Sequence, residues 1–325
     1  ATNLFSVKNY GEFEFWFALI KVVAVIGMIV LGVVVVVLAI NDNPALPDPS
    51  FRHLVDDGGF FPHGVTGTMT ALVVVMFSFG GAELVGITAG EASDPERTIP
   101  RAINQVIWRI LLFYVLALAV IMAVVPWATI DGTTSPFVQI FDSVGVKGAA
   151  HVLNLVVLTA VMSVYSSAVY SNGRMLHTLA HQGSAPGFLG RVGRNGVPVY
   201  GVLVSSAVTG VAVVVVTIWP DFAFRYLMAI ATIAGVINWS MIVITQRKFR
   251  RRIGADASAR LAFPLPGGAV TTWVVLVFLA GVVVLMALSP DYRTAVVVGP
   301  VWVALLLVAF QLKSRRRGKG VALTD

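Results

Sequence analysis

Phe77-Ser78-Phe79-Gly80-Gly81-Ala82-Glu83-Leu84-Val85-Gly86 lies in the middle of an apolar run, residues 64–90, long enough to cross a bilayer as a helix. Two adjacent glycines and a carboxyl group are out of keeping with that depth. Glycine gives up the most conformational freedom in a helix, and an ionisable group near the bilayer centre costs about 2.5–3.5 kcal/mol on insertion scales. A break at Gly80-Gly81 is the economical reading. Unwinding there frees backbone N–H and C=O groups, which hydrocarbon tolerates only when they are buried in protein or face a cavity whose contents bind them. The stretch therefore reads as a binding site on a discontinuous helix. The competing reading is an unbroken helix whose glycines admit a close neighbour that hydrogen-bonds Glu83. Gly86-Ile87-Thr88-Ala89-Gly90 is a small-xxx-small pattern that suits such packing equally well.

The surrounding chain has 325 residues, of which 57% are hydrophobic and 12% charged; ordinary soluble domains are about 25% charged. This composition specifies an all-α polytopic membrane protein. The absence of cysteine excludes a disulfide scaffold and a thiolate metal site. A net charge of +7 raises the question of nucleic acid, and the location of the charge answers it. The basic residues lie in loops between apolar runs, where they set topology, so no nucleic-acid partner is expected. No charged leader or cleavage pattern precedes the first run, and the chain opens on Ala1. Its start is therefore expected to be an interior point of a longer protein.

Eight runs are long enough to span: 15–40, 64–90, 107–127, 149–170, 199–219, 222–245, 269–289 and 294–312. Placing the start in the cytoplasm puts 18 of the 23 Lys and Arg on that side and four (Arg52, Lys147, Arg225 and Arg293) on the other, with Lys21 left inside the membrane. Both ends are then cytoplasmic, and a span more or fewer would mix the two groups. The Arg247–Arg252 and Arg315–Arg317 clusters read as anchors at the membrane surface, with contacts to anionic lipid the alternative.

Lys21 stands one layer beyond the aromatic belt Phe15-Trp16-Phe17. It either snorkels back to the interface or is buried as a proton-binding group of adjustable affinity. The fourth run carries Ser163, Ser166, Ser167 and Tyr170 at i, i+3, i+4 and i+7, one helical face that either bonds neighbouring helices or lines a polar path. The polar segment 91–101 reads as a solvated loop, with a hinge or ion-pair latch as the alternative. His177 and His181 have a metal-ligand spacing but no accompanying carboxylate or cysteine, so no metal is expected. There is no HExxH, Gly-x-Ser-x-Gly or GxxxxGK[ST] pattern, so neither an enzyme nor a bound cofactor is expected.

Four motifs together carry a family resemblance. Residues 77–104, from Phe77-Ser78-Phe79-Gly80-Gly81-Ala82-Glu83 to Ile99-Pro100-Arg101-Ala102-Ile103-Asn104, resemble the sixth helix and following loop of bacterial amino-acid permeases of the amino acid–polyamine–organocation superfamily. Residues 12–26, through Phe15-Trp16-Phe17 and Lys21, resemble their fifth helix. Residues 163–176, followed by Leu179-Ala180, Gly183, Ala185-Pro186 and Gly196-Val197-Pro198, resemble the eighth. Asn238-Trp239 and Phe249-Arg250 resemble the end of the tenth. Segments 104–114 and 163–172 are most similar to the aromatic amino-acid permeases, although Ser166 stands where those have asparagine and Gly173 where they have serine.

The resemblance implies the C-terminal part, helices five to twelve, of a twelve-helix inverted-repeat (LeuT-like) transporter fold. Residues 1–40 would be the last helix of the first repeat, 64–246 the second repeat, 269–312 two further helices and 313–325 a basic cytoplasmic tail. It also implies roles. Gly80 and Gly81 would receive the backbone groups of the substrate, Phe77 would close over it, and Ser78, Phe79 and Ala82 would lie alongside. Lys21 and Glu83 would be proton-coupling groups, with Ser163, Ser166 and Ser167 beside the place where sodium sits in sodium-coupled relatives. The expected activity is proton-coupled symport of an amino acid, aromatic or otherwise neutral, across the cytoplasmic membrane by alternating access. The expected partners are the amino acid, the proton and membrane lipid. Exchange without net proton flow, or sensing without transport, are the alternatives.

Overall fold

A computed structural model describes residues 7–41, 47–87, 94–130, 135–142, 148–193, 196–261 and 263–318. Among these the chain is helical, with no strand. The helices are α1 (Val7–Leu38), α2 (Gly64–Ser78), the single turn α3 (Leu84–Ile87), α4 (Pro95–Ile110), α5 (Ala117–Val124), α6 (Pro136–Asp142), α7 (Ala149–His181), α8 (Val199–Ile218), α9 (Pro220–Ile253), the short α10 (Ala255–Ala259), α11 (Gly268–Leu288) and α12 (Arg293–Gly318). A π-helical stretch, Leu111–Leu116, joins α4 to α5.

Seven described helices are long and apolar enough to cross a membrane. The remaining expected span, 64–90, is represented by α2, whose 15 residues measure roughly 22 Å against a hydrocarbon core of about 30 Å. Thr88–Gly90 at the far end of that run lie outside the described residues.

Several helices are longer than the apolar runs that announced them, and the largest extensions are at two of them. The run at 107–127 continues a helix that begins at Pro95, and the run at 149–170 continues to His181. Hydropathy registers immersion in hydrocarbon, whereas backbone hydrogen bonding proceeds into polar sequence as long as nothing stops it. The connection at Trp219-Pro220-Asp221 is also tighter than a loop. Only Trp219 separates α8 from α9, and Pro220 occupies the first turn of α9, where its missing N–H forfeits no helical bond.

The surface has the inverse polarity of a water-soluble bundle. On α11, Val270, Val274 and Val277 are exposed at i, i+4 and i+7, while Thr272, Leu279, Val282 and Met286 are buried. On α7 the serine face turns inward: Ser163, Ser166 and Tyr170 are buried, and the apolar Val161, Met162 and Val164 point out. Lipid is the solvent that makes this arrangement favourable, since it solvates the valines and leaves the hydroxyls to protein partners.

Two compact units divide the chain. The first comprises Ala1–Gly64, Arg101–His181 and Ala185–Ser206; the second comprises Val65–Pro100, Gln182–Ser184 and Ala207–Asp325. In the first, Met28 and Val35 of α1 close on Val120 and Val124 of α5 and on Ile140 of α6. In the second, Val73 and Met76 of α2 pack with Ile233 and Val236 of α9 and with Leu279, Val282 and Met286 of α11.

Within the first unit, α7 and the start of α8 touch backbone to backbone. A Cβ placed on Gly201 would stand 2.8 Å from the carbonyl oxygen of Gly173 and 2.9 Å from its Cα. A Cβ on Gly173 itself would stand 3.3 Å from a side-chain methyl of Val202. Gly201→Ala is expected to cost about 1–3 kcal/mol of stability through overpacking. It should melt at a lower temperature than wild type in the same detergent; equal melting would mean that these helices part without penalty.

Candidate functional site

In the second unit, α2 stops at Ser78 and turns occupy residues 79–83 before α3 begins. Gly81 adopts φ +99°, a conformation that residues with a Cβ rarely take up. The Gly80 N–H reaches back to the carbonyl of Phe77 at 3.1 Å, in place of the i−4 bond that would extend the helix. Gly81 donates instead to Oε2 of Glu83 at 3.1 Å. Among the described residues, the carbonyl of Gly80 and the N–H of Ala82 enter no hydrogen bond.

Gly80 adjoins a hollow of about 310 Å³ lined by Met76, Phe77, Gly80 and Glu83 on one side and by α9 on the other. Thr232, Gly235, Asn238 and Trp239 face it from α9, at the i, i+3, i+6 and i+7 positions of one helical face. The indole Nε1 of Trp239 donates to Oε2 of Glu83 at 3.1 Å, so one carboxyl oxygen ties the turn to α9. Thr232 is buried and returns its hydroxyl hydrogen to the carbonyl of Met228 at 2.9 Å. The hollow is thus mainly apolar, with a few convergent polar groups, as small-molecule sites usually are. Of the expected substrate residues, Phe77 and Gly80 line it and Gly81 sits in the adjoining turn; of the expected proton-coupling groups, Glu83 lines it. Ser78 instead turns its hydroxyl back to the carbonyl of Val74 at 3.5 Å.

A second polar cluster lies in the first unit. Lys21 Nζ donates to Oγ of Ser163 at 2.8 Å, and Ser163 Oγ donates to Oε1 of Glu14 at 2.5 Å. Lys21 Nζ and Glu14 Oε1 are 4.0 Å apart. Ser163 is fully buried, and the other carboxyl oxygen of Glu14 is sealed from solvent without a hydrogen-bond partner. Lys21 is therefore tied to Ser163 of α7, while its side chain stays 33% exposed. Ser166 is buried and Ser167 half-buried one turn further along α7.

Sequence reasoning missed four groups: Glu14, Thr232, Asn238 and Trp239. Glu14 carried a signal, since it precedes Lys21 by seven residues and so shares its helical face. The α9 residues showed only as a resemblance and as one more helical repeat. His177 and His181 meet through their Nε2 atoms at 3.1 Å, and among the described residues no third ligand joins them. In the segment 91–101, Arg97 and Asp94 form an exposed contact at 3.9 Å. Residues 91–93 of that segment lie outside the described residues.

Seven long apolar helices, with the hydroxyls of α7 turned inward, mark an integral membrane protein. The sequence profile of the amino acid permease family matches residues 1–320, and the chain belongs to this family. It is 46% identical over 315 residues to the aromatic amino acid transport protein AroP of Escherichia coli (strain K12), covering 97% of this chain and 68% of that protein. It is 46% identical over 318 residues to AroP of Salmonella typhimurium (strain LT2), with the same coverage. The amino acid permease YtnA of Bacillus subtilis (strain 168) is 40% identical over 323 residues, covering 99% of this chain and 69% of YtnA.

Proposed function

We propose that the protein takes up an aromatic or similarly neutral amino acid by proton-coupled symport, alternating access between the two faces of the cytoplasmic membrane. The reading rests on one observation: in a turn that borders a hollow at Gly80 and is braced by Glu83 and Trp239, the Gly80 carbonyl and the Ala82 N–H enter no hydrogen bond among the described residues. A substrate carboxylate would meet the Ala82 N–H and a substrate ammonium the Gly80 carbonyl, with Phe77 as the lid. The two AroP relatives, whose name describes aromatic amino acid transport, support the choice of side chain.

The segments 64–78 and 84–90 would then be two halves of one discontinuous helix, completing eight spans. Residues 1–40 would close a first repeat and 64–246 form a second, inverted one, with 269–312 appended and both ends in the cytoplasm.

Proton coupling would run through Lys21, Ser163 and Glu14. As Lys21 passes a proton to the Ser163 oxygen, Ser163 releases its own to Glu14, turning an ammonium and a carboxylate into an amine and a carboxylic acid. A charge moved through 100 mV is worth about 2.3 kcal/mol, roughly 50-fold in accumulation. Glu83 would be a further proton-linked group through its tie to the turn.

Radiolabelled phenylalanine uptake by the full-length protein in proteoliposomes tests this. Accumulation driven by an imposed inward proton gradient, competed by tyrosine and tryptophan, is expected. Uptake that ignores the gradient and requires amino acid inside would assign exchange. Binding without uptake would assign a sensor.

A further inference from the structure

Where α9 leaves its apolar run and α11 enters its own, the second unit holds another hollow, of about 370 Å³, which shares no lining residue with the one at Gly80. Arg247, Arg250 and Arg251 line it from the end of α9, Ser258 from α10, and Gly268 and Ala269 from the first turn of α11. No carboxylate lines it, and among the described residues none of the three arginines forms an ion pair. Asp256, the nearest acid in sequence, is exposed.

Two of the three arginines, Arg247 and Arg250, are held in place. The Arg247 guanidinium stacks over the Trp273 ring at 4.4 Å, and its Nη1 is shut off from solvent with no hydrogen-bond partner. Arg250 donates through Nε to Oγ of the buried Ser258 at 2.7 Å, and its Nη1 lies 3.9 Å from where a Cβ on Gly268 would stand. Diffuse anchoring at a membrane surface calls for long, free side chains. Here two of the three are half-buried and oriented, and one buried charged donor lacks an acceptor, which native proteins seldom leave unmet. The start of the 21-residue α11 adds the positive end of a helix dipole. A planar guanidinium and a helix start together suit a tetrahedral oxyanion.

The flank of α11 just beyond the hollow says which oxyanion. Val270, Trp273, Val274 and Val277 are exposed along it, an apolar track that begins at the arginines. We propose that this hollow binds the phosphate of an anionic phospholipid, with the acyl chains lying along that track. The chemistry is phosphate recognition, and free phosphate is the other possible source.

The purified full-length protein, in a non-ionic detergent, would be titrated with phosphatidylglycerol and with phosphatidylcholine of the same acyl chains, followed by native mass spectrometry. The variant is Arg250→Gln with Arg251→Gln, which leaves the Arg247–Trp273 stack intact; Arg315→Gln with Arg316→Gln and Arg317→Gln serves as the control. Phosphatidylglycerol should bind wild type and the control alike, and bind the Arg250/Arg251 variant about tenfold more weakly, in line with the attraction of one to two surface basic groups. Inorganic phosphate at millimolar concentration is the second arm. If it displaces phosphatidylglycerol from wild type but not from the variant, the phosphate site stands and is open to free phosphate as well. Equal binding of the two lipids, or of phosphatidylglycerol by wild type and the Arg250/Arg251 variant, would overturn the proposal.

Discussion

Lys21→Ala is expected to abolish accumulation driven by a proton gradient, so that the roughly 50-fold concentration ratio supported by 100 mV collapses towards equality. Exchange of labelled for unlabelled substrate should survive, because the hollow in the second unit is untouched. Glu14→Gln makes the sharper test. It preserves the size of the group and its ability to accept from Ser163 at the same position, but it cannot take the proton on. Uptake is expected to slow about a hundredfold, the usual scale for losing a positioned proton acceptor, and its dependence on external pH should flatten. Glu14→Asp should restore part of that dependence. A Glu14→Gln protein with the wild-type pH profile would reduce the Lys21–Ser163–Glu14 chain to a structural brace.

Gly81→Ala is expected to raise the apparent KM for substrate about tenfold or more. A residue with a Cβ held at φ +99° is strained by about 1–3 kcal/mol, and the turn would relieve that strain by swinging the Ala82 N–H and the Gly80 carbonyl out of position. Gly86→Ala is the matched control, since a Cβ there meets nothing within 4 Å and no positive φ is involved. Competition binding with labelled phenylalanine reads both variants. Unchanged affinity in Gly81→Ala would remove these peptide groups from substrate recognition.

Much of the helical architecture was legible because membrane immersion writes itself as long apolar runs. The end of α2 was legible for a related reason: glycines at 80 and 81 are poor helix formers in the middle of a long apolar run. The true extents of α4 and α7 were not, because polar residues can prolong a helix without extending the apolar signal. Glu14 was overlooked because it sits among the aromatic residues that mark the membrane edge, and its hydrogen bond comes from Ser163, 149 positions away. The same holds for Trp239. Nothing in its neighbourhood along the chain indicates that its indole points at a carboxyl 156 positions earlier. Periodicity shows which residues share a face, but not what stands opposite that face.

The double use of one Glu83 oxygen has a mechanical result. Because the amide of Gly81 and the indole of Trp239 grip the same atom, the fold has a single clasp where two independent latches would have been safer. Whatever draws that atom away, whether an arriving ammonium group or a water molecule, slackens the kink and its mooring to the neighbouring rod in one stroke.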